Sequence, residues 1–199
     1  IRKTIEKTKS LKPQPIVLKN TTLVSSYTHA VEIGPSPILI GERINPTGKS
    51  KFKEALRQNN MDYILNEGIA QQEKGVQILD VNVGLPEIDE VEMIKNAVFE
   101  LQSVIDLPLQ IDTVDIEAME QSMRLYNGKP LVNSVNGKKK NMKDVFPLIK
   151  KYGGTLIALT IDEDGIPETV EGRIKIAEKI IKTAKEYGID KKDIVVDPL

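Results

Sequence analysis

The chain has no cysteine among its 199 residues and a single histidine, His29. Disulfides, thiolate nucleophiles and cysteine-held zinc or iron–sulfur centres are therefore excluded, and a cytoplasmic setting fits. An excess of one charge is missing too, with Lys and Arg at 28 against Asp and Glu at 29. That balance gives no global attraction for nucleic acid or an anionic membrane. No apolar run approaches the roughly 18–20 residues that span a bilayer. The start, Ile1-Arg-Lys-Thr-Ile-Glu-Lys7, is too charged for a signal peptide and has no initiator Met. We expect it to lie inside a longer polypeptide or to follow processing. A glycine-rich phosphate fingerprint is also lacking, since Gly41 and Gly48 do not make one.

What is present is alternation. Residues 38–40 are a short apolar run that stops in Glu42, Arg43 and Asn45, before Pro46 and Gly48 turn the chain. Helical spacing over 52–74, in two pieces around Asn59-Asn60, leads to a second strand at 76–83. Helices are then expected at 87–105, 116–126, 142–152 and 170–187. Strands are expected at 109–112, 131–134, 155–160 and 194–197. Gly75, Gly128, Gly153 and Gly188 stand at helix exits. The strands are almost continuously apolar, as in a parallel sheet covered on both faces. The pattern predicts an α/β fold, a (β/α)8 barrel that is incomplete, with about six of its eight units present. Residues 37–199 form this barrel in our reading. Residues 1–36 differ: a helical stretch at 1–11, breakers at Pro13 and Pro15, and short strands at 16–18 and 23–33 around an Asn20-Thr-Thr22 turn. We read them as a linker or the edge of a preceding domain.

The chemistry collects at strand ends. Glu42 and Asn45 follow the first strand, and Asp80 and Asn82 lie in the second. Asp112 ends the third, Asn133 and Ser134 the fourth, Thr160 the fifth and Asp197 the sixth. In a barrel these ends meet at one mouth, where active sites sit. Each residue alone could simply cap a helix or start a turn. Capping does not require polar residues within a strand, however, as in Leu79-Asp-Val-Asn82 and Leu109-Gln-Ile-Asp112. Carboxylates and carboxamides suit a flat heterocycle with adjacent amino and ring N–H groups, which a carboxylate can bridge with two hydrogen bonds. A pterin has such an edge. A phosphorylated sugar would call for lysines or a glycine-rich nest. Mg²⁺ remains open on composition.

Five motifs, in this order and spacing, carry a resemblance: Ile40-Gly-Glu-Arg-Ile-Asn45, Leu79-Asp-Val-Asn-Val-Gly84, Gln110-Ile-Asp112, Val132-Asn-Ser134 and Val196-Asp-Pro-Leu199. Together they resemble the pterin-binding methyltransferase family, which includes the folate-binding module of cobalamin-dependent methionine synthase and the methyltetrahydrofolate:corrinoid protein methyltransferases. The resemblance implies a barrel that takes 5-methyltetrahydrofolate as substrate and presents its methyl group to cobalamin on a partner domain or corrinoid protein. It implies pterin contacts by Asp112, Asn133 and Asp197, with Asn82 in the same pocket and Glu42 and Asn45 at its rim or floor. It also implies that residues 1–36 are the end of a preceding homocysteine-binding module and the interdomain linker; no metal, nucleic acid or membrane partner is expected for this chain. The family's activating asparagine follows a seventh strand that these residues do not reach, so the expectation is binding without turnover.

Alternatives are a dihydropteroate synthase-like enzyme, which shares the barrel and pocket, and a non-catalytic pterin-binding fragment that docks a cobalamin domain. The former differs at Arg43-Ile-Asn-Pro-Thr47 and Asn82-Val-Gly-Leu-Pro86. His29 is read as a surface or structural residue rather than a cobalamin ligand. Asp162-Glu-Asp-Gly165 is read as a loop tip rather than a calcium loop. Lys138-Lys-Lys140 is read as a solvated helix start, although it could meet a folate's glutamate tail.

Overall fold

The computed structural model describes residues 1–12 and 20–199. The strand expected at 16–18 lies outside them. A short exposed helix, α1 (Arg2–Thr8), precedes an antiparallel hairpin of β1 (Thr22–Ser25) and β2 (Ala30–Ile33). Six strands then form one parallel sheet: β3 (Ile40–Ile44), β4 (Ile78–Val81), β5 (Leu109–Asp112), β6 (Leu131–Asn136), β7 (Thr155–Leu159) and β8 (Ile194–Asp197). They are ordered in space as in sequence. A doubly wound sheet reverses its order at a switch point, whereas a barrel does not. The arrangement is an incomplete (β/α)8 barrel, with β3 and β8 as its open edges.

The crossovers are α2 (Ser50–Arg57) and α3 (Met61–Glu73), then α4 (Glu90–Val104), α5 (Ile116–Leu125), α6 (Lys139–Tyr152) and α7 (Val170–Glu186). Four of their six starts are built by side-chain caps. Asn60, Asp89, Asp115 and Thr169 accept hydrogen bonds from N–H groups of Tyr63, Glu92, Ala118 and Gly172 at 2.8–3.1 Å. None of these caps is a strand-end residue singled out above. α3, α6 and α7 exit through Gly75, Gly153 and Gly188 with φ of 81°, 79° and 79°, where a Cβ would be strained.

Alternation along the strands separates two cores. Leu79, Val81, Leu109, Ile111 and Val132 face the helices. Residues of the opposite parity face the lumen. Its lowest layer joins Ile78 and Leu131 to Ile40 and Ile157, and these pack on Val24, Val31 and Ile33 of the hairpin. The hairpin is thereby a plug across the N-terminal end of the barrel. Thr22 Oγ1 donates to the Lys192 carbonyl at 2.6 Å, and Thr155 Oγ1 to the Leu23 carbonyl at 2.8 Å. Ser25 pairs with Lys129, and Tyr27 Oη donates to Asp106 at 2.9 Å. The Tyr126 hydroxyl donates to the Ser25 carbonyl at 2.8 Å and accepts the Leu109 N–H at 3.0 Å.

Three sequence expectations change. The strand expected at 23–33 breaks into a hairpin that turns at residues 26–29, where the Ser26 hydroxyl accepts the Thr28 and His29 N–H groups, and Thr22 of the expected Asn20-Thr-Thr22 turn already begins β1. The first barrel strand is Ile40–Ile44, so Glu42 lies inside it rather than after it. The parallel register keeps Ile44 opposite Val81 and so extends the strand past its polar residues. The fourth barrel strand continues to Asn136, and α6 begins at Lys139. His29 sits on the plug with its ring 2.9 Å from the Thr28 hydroxyl, at the opposite end from the mouth.

Candidate functional site

The mouth is built by three adjacent strands whose registers match. Asp80 lies opposite Gln110, and Asp112 opposite Asn133. Asn82 lies one residue past β4 rather than within it, and period-2 alternation puts it on the same face as Asp80, with 110 and 112 on the matching face of β5. The lumen therefore carries two polar layers above the apolar floor. Asp80 and Gln110 form the lower layer, and Asn82, Asp112 and Asn133 form the upper.

In the upper layer the Asn82 carboxamide donates from Nδ2 to Asp112 Oδ2 at 3.0 Å, while its Oδ1 accepts the Gly84 N–H at 2.9 Å. Asn82 thus makes a turn and orients a carboxylate with one side chain. Burial pushes the Asp112 carboxyl above its usual range, the Asn82 hydrogen bond pulls it back, and Glu42 and Glu90 add repulsion. The other mouth residues have local duties too. Asn45 Oδ1 accepts the Thr47 N–H at 2.9 Å, and its Nδ2 points to Glu42 Oε1 at 3.4 Å. Asp197 Oδ1 accepts the Leu199 N–H at 2.9 Å. The turn-forming explanation therefore applies to Asn45, Asn82 and Asp197. It does not apply to Asp80 or Asp112.

Two register irregularities shape the mouth. One lies between Gly41 and Ile44 in β3, and the other between Asn133 and Val135 in β6. Such bulges re-aim side chains beside functional sites. The first is anchored by the Arg43 N–H donating to Gln71 Oε1 at 2.8 Å, and Arg43 pairs with Glu67 at 3.5 Å. Glu42 is left free to face Asp80 and Asp112, on which its charge acts.

The structure gathers Glu42, Asn45, Asp80, Asn82 and Asp112 into one cluster, with Asn133 beside Asp112 on the next strand. It sets Asp197 three strands round the lumen from Asp112 and does not bring the two together. Two participants beyond the expected set emerge. Gln110 bonds Asp80, and Glu90, at the start of α4, accepts from the Thr113 hydroxyl and acts on Asp112. Gln110 was discoverable by alternation, standing two residues before Asp112 on the same face. Glu90 was not, because the turn that swings α4 over the mouth has no local signature.

Among the described residues no cluster of His, Cys, Asp or Glu could hold a metal, and no helix is long and apolar enough to cross a membrane. The Asp162 loop is a tight turn, with the Asp162 side chain accepting the Asp164 N–H at 3.0 Å. Glu163 accepts the Lys139 N–H at 2.8 Å, which holds its carboxyl down to about 2. A cavity of about 520 Å³ opens below the mouth between β3 and β8, lined by Ile38, Ile40, Ile78, Leu131, Ile157 and Val195 and without a titratable group.

The sequence model of a family described as pterin binding enzyme matches residues 41–199. A methionine synthase of Mycobacterium leprae (strain TN) is 30% identical over 184 residues, covering 88% of this chain and 15% of that protein. A methylcorrinoid:tetrahydrofolate methyltransferase of Eubacterium limosum is 34% identical over 164 residues, covering 81% of this chain and 60% of that protein. The chain thus spans less than two thirds of the curated relatives it matches. Among solved structures, a dihydropteroate synthase of Xanthomonas albilineans with 4-aminobenzoic acid superposes with a TM-score of 0.69 at 17% identity, covering 90% of this chain and 65% of that one. The 7,8-dihydropteroate synthase of Vibrio fischeri ES114 gives 0.66 at 15%, covering 89% and 66%. At those identities the likeness speaks for the barrel alone.

Proposed function

This chain belongs to the pterin binding enzyme family, and from that premise we propose that its mouth binds 5-methyltetrahydrofolate and presents the methyl group to cob(I)alamin on a partner domain or corrinoid protein. The observation that carries this reading is the Asn82–Asp112 pair at the C-terminal ends of adjacent strands. With one oxygen held by Asn82, the Asp112 carboxylate retains acceptor capacity toward the lumen. It suits the adjacent amino and ring N–H groups of a pterin edge. Asn133, the next residue round the wall, offers donor and acceptor to the same plane. Asp197 would close the far side.

The chain's own residues bind and orient. Loss of a methyl group from a tertiary amine nitrogen requires that nitrogen to gain a hydrogen bond or proton as the bond breaks. A corrinoid supplies the nucleophile when bound. We assign no residue of this chain as its ligand, and His29 faces the wrong end. In the same reading residues 1–36 connect to a preceding homocysteine-binding module, which is consistent with an α1 that buries none of its residues. The dihydropteroate synthase-like alternative rests on fold likeness at 15–19% identity, whereas the two methyl-transfer relatives stand at 30% and 34%.

Calorimetric titration with 5-methyltetrahydrofolate tests the reading. We expect binding, and a loss of about 1–3 kcal/mol in Asp112→Ala through an unpaired ligand edge. Equal affinity of the two proteins would reject the pocket. Condensation of 4-aminobenzoate with a dihydropterin pyrophosphate would favour the alternative.

A further inference from the structure

Asp80 is 1% exposed and Gln110 6%, and they lie opposite each other on β4 and β5 in the layer beneath Asn82 and Asp112. Gln110 Nε2 donates to Asp80 Oδ1 in a very close contact. Gln110 Oε1 is fully buried and has no partner among the described residues. A buried orphan acceptor is destabilising unless something donates to it. The groups facing Asp80 are the Asp112 carboxylate from β5, the Glu42 carboxylate from β3 and the Asn45 carboxamide after β3. Glu90 from α4 faces Asp112 in turn. Neither Lys nor Arg is among these neighbours. Arg43, which follows Glu42 in sequence, is engaged outward with Glu67.

We propose that Asp80 is a neutral carboxylic acid in a cyclic acid–amide pair with Gln110, with Nε2–H donating to Oδ1 and the acid O–H donating to Oε1. One proton then satisfies the orphan oxygen and removes one of three facing negative charges. Gln110 acts as a positioning residue, and Asp112 is left as the anion that meets the ligand. This last consequence rests on the pterin reading, whereas the pair itself does not. Burial, followed by the charge of Asp112, pushes Asp80 up to about 7 against the pull of the Gln110 N–H. The second hydrogen bond of the ring acts in the same direction as burial.

The test compares the full chain with Asp80→Asn, whose carboxamide copies the shape and hydrogen bonding of the neutral acid. In ligand-free protein below neutral pH, infrared difference spectra should show a protonated carboxyl band, shifted in heavy water and absent from Asp80→Asn. The variant should melt close to the parent at about pH 4 and above it at about pH 8, where the parent carries a buried charge. Gln110→Leu should displace the band and lower the melting temperature at both pH values. Asp112→Asn should lose ligand affinity by about tenfold or more. Absence of the band, or a lower melting temperature of Asp80→Asn at the higher pH, overturns the pair. A parent that binds no reduced folate overturns the ligand reading only, because the spectral and melting results need no ligand.

Discussion

At the scale of single residues, Asn82 matters as much as the carboxylate it holds. Its hydrogen bond is the one effect that favours the charged form of Asp112 against burial and two nearby glutamates. Asn82→Ala removes that bond and should raise the Asp112 pKa further. Affinity that depends on the Asp112 anion would then fall away, as pH is lowered, at a higher pH in the variant than in the parent. Calorimetry across the pH range would show the two curves displaced, and superimposed curves would remove Asn82 from this role. Asp80 has a stability signature of its own. Its folded pKa of about 7 lies above its ordinary 3.8, so its contribution is fully present below about pH 4 and is lost as pH rises through about 7. A shift of that size corresponds to something on the order of 4 kcal/mol. Denaturant midpoints of the parent should fall over this window relative to Asp80→Asn.

At the scale of elements, the hairpin is held by polar contacts as much as by its apolar face. Tyr126 supplies both a donor to Ser25 and an acceptor for the Leu109 N–H, and burial lifts its hydroxyl to about 12. Tyr126→Phe leaves a buried N–H unpaired and should cost about 1–3 kcal/mol in urea unfolding. Gly128→Ala should act on the same joint, because a Cβ there would overlap the Ser25 carbonyl oxygen. The βα alternation was legible in sequence because apolar runs, glycine exits and helical spacing are local signals. The strand at 109–112 and the break at Asn59-Asn60 appear as expected. The hairpin turn was not legible, since the Ser26 hydroxyl builds it while bonding to Asp106, 80 residues away. Nor was the position of Glu42, which depends on pairing of β3 with β4 and a bulge anchored by Gln71.

At the scale of the whole molecule, six strands close most of a lumen and, among the described residues, leave β3 and β8 unpaired on their outer sides. Between them lies the apolar cavity floored by Ile78, Leu131 and Ile157, and Val196 on β8 is 39% exposed. Open edges beside apolar surface invite pairing with other chains. The 199-residue chain alone should therefore self-associate with concentration or bind an apolar dye. Light scattering from a strictly monomeric species that binds no dye would contradict this. The mouth's polar layers were foreshadowed by residues spaced two apart on successive strands. Their division into turn formers and acids that form no turn was not, because it depends on which backbone N–H each oxygen reaches.

The plug has a mechanical consequence. It is fastened to Asp106, Lys129, Thr155 and Lys192, all at the end of the barrel opposite the mouth. Tension arriving at Thr22 is shared among the loops of that end and reaches no side chain of the mouth directly. Load entering at Thr22 is borne at the closed end of the barrel, and the cup above keeps its shape.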